Sequence, residues 1–146
     1  MNFTLTEKTV VSVRFNEADP LGIVWHGHYV RYFEDGREAF GAKYGLTYLD
    51  FFQNGLVVPI VSVDCQFKKP LRYGDSVLVE TTYLDGPAAK IQFDYRLWNA
   101  ASGVLVATGS TTQVFLDKEH LSLQLNVPAF FEAWKAQHCS PKTTPP

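Results

Sequence analysis

Cysteine, histidine and charge of one sign are all scarce in this 146-residue chain, which has 2 Cys and 4 His, with 13 Lys and Arg against 15 Asp and Glu. Cys65 and Cys139 are too far apart in sequence for a Cys-x-x-Cys metal or redox site, and two cysteines make no disulfide framework. The thiols are expected to be reduced, as in a cytoplasm. His26 and His28 lie close together, but the His-Glu-x-x-His spacing of a helical zinc site is absent, so no metal is expected. A net charge of -2 without a long basic run excludes the electrostatic footprint of a nucleic-acid binder. No apolar run approaches the roughly 20 residues of a membrane span. Glu7 and Lys8 interrupt the stretch where a signal peptide needs unbroken apolar sequence. The expectation is a soluble, unexported, cytoplasmic protein.

Apolar and aromatic residues are plentiful: 46% of the chain is hydrophobic and 14% aromatic, against 19% charged, the balance of a packed core and not of a disordered segment. The length is close to the roughly 150 residues of one compact domain. One domain over 1–139 is expected, followed by a flexible tail over 140–146.

Along the chain, Val11, Val13 and Phe15 alternate as in a half-buried strand over 9–15. The run Asn16 to Gly22 breaks it, and Pro20 biases Asp19 away from helical geometry and into a loop. From about His28, Tyr29, Tyr32, Phe33, Gly36, Phe40 and Tyr44 recur at three- and four-residue intervals, which predicts a long amphipathic helix stopped by Gly45. Gly36 lies on its apolar stripe, where close approach of a neighbouring backbone compensates the helix cost. Strands follow over 57–68, 76–84, 90–98 and 104–116, with Ile91, Phe93, Tyr95 and Leu97 inward, and with Ala107 and Gly109 thinning the last strand where a helix can press on it. A short terminal helix over 128–137 carries Phe130, Phe131 and Trp134. The order is an α+β pattern, read as one curved antiparallel sheet wrapped around one long helix. So small a sheet leaves edges and apolar patches that oligomerisation would cover.

The chemistry concentrates between Arg14 and Glu34. A loop carboxylate, Asp19, stands near His26, just ahead of a helix whose first N–H groups have no internal partners and carry the positive end of the helix dipole. A carboxylate beside preorganised N–H donors suits acyl transfer. Glu34 is a rival acid on the helix, read as an exposed ion-pair member beside Arg31 and Arg37. Glu17 is read as a solvated loop residue.

The run Asp19-Pro-Leu-Gly-Ile-Val-Trp-His-Gly-His-Tyr-Val-Arg-Tyr-Phe-Glu34 resembles the signature of the 4-hydroxybenzoyl-CoA thioesterase branch of the hotdog-fold superfamily. Lys69-Pro-Leu-Arg-Tyr-Gly-Asp75 is similar to that family's Pro-x-x-x-Gly-Asp hairpin, and the resemblance extends from about Thr9 to Leu116. It implies a hotdog fold and an acyl-CoA hydrolase with no metal or organic cofactor, coenzyme A being part of the substrate. Its active sites would lie between protomers of a homodimer or homotetramer. By motif, the catalytic aspartate falls on Asp19 and the family histidine on His26, with backbone N–H groups near His26 to His28 polarising the thioester carbonyl. Many relatives of this kind carry Asn or Ser where this chain has Gly27-His28 before Tyr29. Lys68, Lys69 and Arg72 are candidates for the coenzyme A phosphates. Trp25, His28 and Tyr29 are candidates for contacting the substrate. Two alternatives remain at this level: a hotdog hydratase or dehydratase, whose Asp-x-Asn-Pro-x-His motif is absent, and a non-catalytic acyl-CoA binder, which has no need of a carboxylate beside the carbonyl.

Overall fold

The computed structural model describes residues 4–139. In chain order the elements are β1 (Thr4–Ser12), α1 (Tyr29–Tyr44), α2 (Tyr48–Gln53), β2 (Leu56–Val57), β3 (Ile60–Phe67), β4 (Ser76–Leu84), β5 (Lys90–Asn99), β6 (Leu105–Val114), β7 (Leu116–Asp117) and α3 (Ala129–His138). Five strands form one antiparallel sheet in the order β1-β4-β5-β6-β3, and β2 pairs with β7 separately. The long strands after the first helix are therefore not simple neighbours in sequence order. β3 and β4 lie apart in the sheet, and the 68–75 connection must carry the chain between them past the end of the sheet.

The long helix forms where the aromatic stripe predicts it. Tyr29, Tyr32, Phe33, Gly36 and Phe40 are buried, and they face a sheet surface made by the alternate residues Ile91, Phe93, Tyr95 and Leu97 of β5, each buried as well. Phe33 stacks on Tyr95 with ring centroids 4.4 Å apart. Each such fully buried side chain contributes about 1.5–3 kcal/mol relative to exposure. Gly36 and Gly109 let helix and sheet approach: a Cβ on Gly36 would overlap Thr81 and Val79, and one on Gly109 would overlap the Phe33 ring and the Asp64 carbonyl. Gly45 ends the helix in the left-handed region (φ 73°), and its N–H donates to the Gly41 carbonyl. The terminal helix α3 then covers the far end of the core, where Trp134 Nε1–H donates to the Tyr44 carbonyl at 2.8 Å.

Three features differ from the expectations. The first strand runs from Thr4 to Ser12, where its register with β4 ends at the pair Ser12 and Ser76; one further backbone bond, from the Val13 amide to the Asp75 carbonyl at 2.9 Å, precedes the 3-10 turn Phe15–Glu17. Phe15 consequently sits in a 3-10 turn with its ring 78% exposed. The expected strand over 57–68 is split around Pro59, which has no N–H for a ladder. Helix α2 was unanticipated, since six residues are too few for a helical repeat to show. Its signal is local: Thr47 Oγ1 accepts from the Asp50 amide at 3.1 Å and Asp50 Oδ2 accepts from the Thr47 amide at 2.8 Å, a capping box. The expected tail over 140–146 lies outside the described residues.

Candidate active site

The segment between β1 and α1 folds back on itself as a narrow hairpin. Asp19, Pro20, Leu21 and Gly22 occupy the four positions of a turn whose residue types fit type I, with Asp first, Pro second and Gly last. The Gly22 amide donates to the Asp19 carbonyl at 2.9 Å, and Gly22 adopts φ 78°, a conformation that glycine enters without steric cost. Below the turn, the Asp19 amide donates to the Ile23 carbonyl at 2.8 Å, and the Trp25 amide to the Glu17 carbonyl at 3.0 Å. Ala18 bridges Val24 between them. The return arm is pinned in turn to the 68–75 connection, because the Val24 amide donates to the Leu71 carbonyl at 2.8 Å and Ile23 bridges Arg72. The unusual sheet order thus supplies the backbone against which the hairpin rests.

Asp19 is half-buried at the tip. Its Oδ1 accepts from the Leu21 amide at 2.8 Å, an Asx-turn that fixes the carboxylate plane. Among the described residues Oδ2 has no hydrogen-bond partner, so one oxygen is held and the other is available.

The return arm leads directly into the helix start. His26 to His28 form one 3-10 turn ahead of Tyr29. The His28 amide donates to the Trp25 carbonyl at 3.0 Å and the Tyr29 amide to the His26 carbonyl. The amides of His26 and Gly27 have no acceptor among the described residues. They are the unpaired donors the sequence located only as near His26 to His28, and they stand at the positive end of the 16-residue helix α1.

Aromatic side chains surround these donors. Trp25 is 49% exposed, and its indole lies over Gly27, against His26 (centroids 4.9 Å apart) and His28 (5.5 Å). Phe67, at the end of β3, stands 6.3 Å from the His26 ring and meets the Tyr29 ring edge-on at 4.9 Å. Phe67 was not singled out by the sequence. Burial raises the Tyr29 phenol above its ordinary pKa, so it remains protonated at neutral pH. The neighbouring Cys65 thiol is pushed up to about 11 by burial and, secondarily, by Asp64.

The structure brings Trp25, His26, His28 and Tyr29 together beside the hairpin. Lys68 and Lys69 are exposed at the end of β3, and neither side chain forms an ion pair among the described residues. Arg72 lies nearer the tip, its Nη1 4.0 Å from where a Gly22 Cβ would stand. Two expectations are corrected. Glu34 is exposed but forms no ion pair among the described residues, because Arg37 turns inward and donates to the Tyr95 hydroxyl at 3.0 Å. Glu17 is 3% exposed. Its Oε1 accepts from the Arg14 amide at 2.7 Å and from the Tyr32 hydroxyl at 3.1 Å.

A five-stranded antiparallel sheet packed on one long helix, in a chain whose relatives and structural neighbours are acyl-CoA thioesterases, defines a hotdog-fold thioester hydrolase. The chain belongs to the thioesterase-like superfamily, whose profile matches residues 13–135. It is 34% identical over 112 residues, 77% of this chain and 80% of the relative, to a Bacillus subtilis protein provisionally named acyl-CoA thioesterase YneP. It is 31% identical to the 1,4-dihydroxy-2-naphthoyl-CoA hydrolase of Thermosynechococcus vestitus, with 84% of each chain covered. Among solved structures, a DHNA-CoA thioesterase from Staphylococcus aureus superposes with a TM-score of 0.81 at 25% identity, covering 92% of this chain and 91% of that one. The 4-hydroxybenzoyl CoA thioesterase of Pseudomonas sp. strain CBS-3 shares the fold, with a TM-score of 0.75 at 24% identity over 88% of this chain and 98% of that one.

Proposed function

We propose that the protein hydrolyses acyl-CoA thioesters with Asp19 as the reacting carboxylate and the His26 and Gly27 amides as the oxyanion donors. One observation carries this reading: a single hairpin presents a carboxylate with one oxygen locked and the other unpartnered, and its return arm delivers two unpaired N–H groups at the helix start. As negative charge develops on the thioester oxygen, those donors stabilise it without reorganising. Oδ2 either adds to the carbonyl carbon or takes a proton from the attacking water. In both routes the carbon–sulfur bond breaks and its electron pair leaves with the coenzyme A thiolate; in the nucleophilic route water then attacks the acyl carbon of the acyl–Asp19 anhydride and frees the carboxylate, so in both the acyl carbon ends bonded to oxygen from water. Thiolate is a good leaving group, so no strong general acid is needed. His26 orients the water or supports the carbonyl oxygen.

The aromatic walls formed by Trp25, Tyr29 and Phe67 favour a planar acyl group, in keeping with the aromatic acyl-CoA named for the Thermosynechococcus relative. Arg72, Lys68 and Lys69 lie on the same end of the molecule as the hairpin and suit the coenzyme A phosphates. A homodimer or homotetramer in the cytoplasm is part of this reading.

The test is release of free thiol from a panel of aromatic and aliphatic acyl-CoAs. Turnover of at least one aromatic acyl-CoA is expected. Binding of coenzyme A ligands without any thioester cleavage would make the protein a binder instead, and hydration of a crotonyl thioester would make it a hydratase. Trapping the enzyme during a single turnover separates the two roles of Asp19, since only the nucleophilic route carries the acyl group on the Asp19 carboxylate.

A further inference from the structure

Glu17 is the only buried carboxylate among the described residues, and nothing in the proposed chemistry uses it. Its side chain and its backbone have different partners. Through Oε1 it accepts from the Arg14 amide and from the Tyr32 hydroxyl in the first turn of α1. Its carbonyl accepts the Trp25 amide at 3.0 Å, the lowest rung of the hairpin. Two residues further on is Asp19, and immediately after Trp25 come the unpaired His26 and Gly27 amides. Nothing else described here ties the outgoing arm, the return arm and α1 together at one residue.

We propose that Glu17 is the positioning residue of this site: its carboxylate docks the hairpin base on Tyr32 and so sets Asp19 and the oxyanion amides in register with each other. The carboxylate itself does not reach the reacting atoms. Leaving Tyr32 and the Arg14 amide without their shared acceptor would free the hairpin to shift. Misplacement by about 1 Å costs catalysis about 100-fold without abolishing binding. Glu17→Gln keeps a carbonyl oxygen on the same two donors, whereas Glu17→Ala removes it.

The test compares Glu17→Ala, Glu17→Gln and Tyr32→Phe by steady-state kinetics and by amide hydrogen exchange. Glu17→Ala is expected to lower kcat about 10- to 100-fold with KM within about threefold of wild type. Glu17→Gln should recover most of that loss, and Tyr32→Phe should lose only several-fold. Exchange at the Asp19 and Trp25 amides should quicken in Glu17→Ala while β5 amides stay protected. Unchanged kcat in Glu17→Ala, or a loss in Glu17→Gln as deep as in Glu17→Ala, would overturn the proposal. If Glu17→Ala fails to fold, Tyr32→Phe decides it, since wild-type kcat there contradicts the docking. The kinetic arm rests on the thioesterase reading. Should the wild type cleave no thioester, that reading fails, while the exchange arm still tests Glu17 alone.

Discussion

The Trp25 indole lies directly over Gly27, so closely that a Cβ on Gly27 would overlap three atoms of the six-membered ring. The missing side chain is what lets the ring cover the turn that carries the unpaired His26 and Gly27 amides. In Gly27→Ala the ring has open solvent to swing into, being half-exposed already. Stability should therefore change by less than about 1 kcal/mol. Trp fluorescence should shift to the red and KM for aromatic acyl-CoA should rise. Unaltered fluorescence and kinetics would remove Trp25 from the substrate site.

Regular elements were legible wherever a repeat was long enough to show. The Tyr29 to Phe40 stripe and the Ile91 to Leu97 alternation give α1 and β5 nearly to the residue. Gly36 and Gly109 were legible as contact points because a glycine on an apolar face needs a reason, but what crowds Gly36 is the Thr81 and Val79 side chains and not the neighbouring backbone expected. Glu17 was not legible: a loop glutamate reads as solvated, and its burial depends on Tyr32, which is 15 positions away. Phe67 escaped notice for the same reason, since only the packing of β3 beside the helix start brings it to His26. Asp19 was singled out through its turn chemistry and the family motif together, and the structure places it at the tip of the hairpin whose two arms make up that motif.

At Gly36, intrinsic propensity and packing oppose each other. Alanine gains about 1 kcal/mol as a helix residue, but its Cβ meets Thr81 and Val79 on the sheet. Overpacking of this kind costs about 1–3 kcal/mol, so Gly36→Ala should be net destabilising in urea denaturation. A higher midpoint than wild type would show that helix and sheet separate easily there.

Asp35 supplies a pH-dependent test. It lines a cavity of about 230 Å³ with Arg14, Glu17, Arg31 and Tyr32. Burial raises its carboxyl above the ordinary value, an effect that Arg31 and Arg14 offset only in part. A raised folded-state pKa means that the neutral form is favoured on folding, a contribution present in acid and lost as pH rises through the folded value. Asp35→Asn mimics the neutral form. It should raise Tm at pH 7, with the gain shrinking as pH falls through the raised folded value and gone below about 4, the unfolded value. A variant less stable than wild type at pH 7 would contradict this.

β3 is a sheet edge, and its apolar residues Val61, Val63 and Phe67 are 59%, 42% and 53% exposed. An edge of that length and character is normally paired or covered. Val63→Lys should weaken self-association in analytical ultracentrifugation and leave the monomer folded by circular dichroism. Self-association unchanged in this variant would exclude the β3 edge as the contact of the proposed oligomer.

The central claim is that the Asp19 carboxylate carries the reaction. Asp19→Asn retains Oδ1 as acceptor for the Leu21 amide, so the turn and its amides should survive while the negative charge is lost. The decisive measurement is kcat/KM for aromatic acyl-CoA hydrolysis by Asp19→Asn against wild type, with matched thermal unfolding curves. The account predicts a fall of about 10²- to 10⁴-fold at unchanged Tm. Hydrolysis within about threefold of wild type, well inside what a non-catalytic change produces, would contradict it.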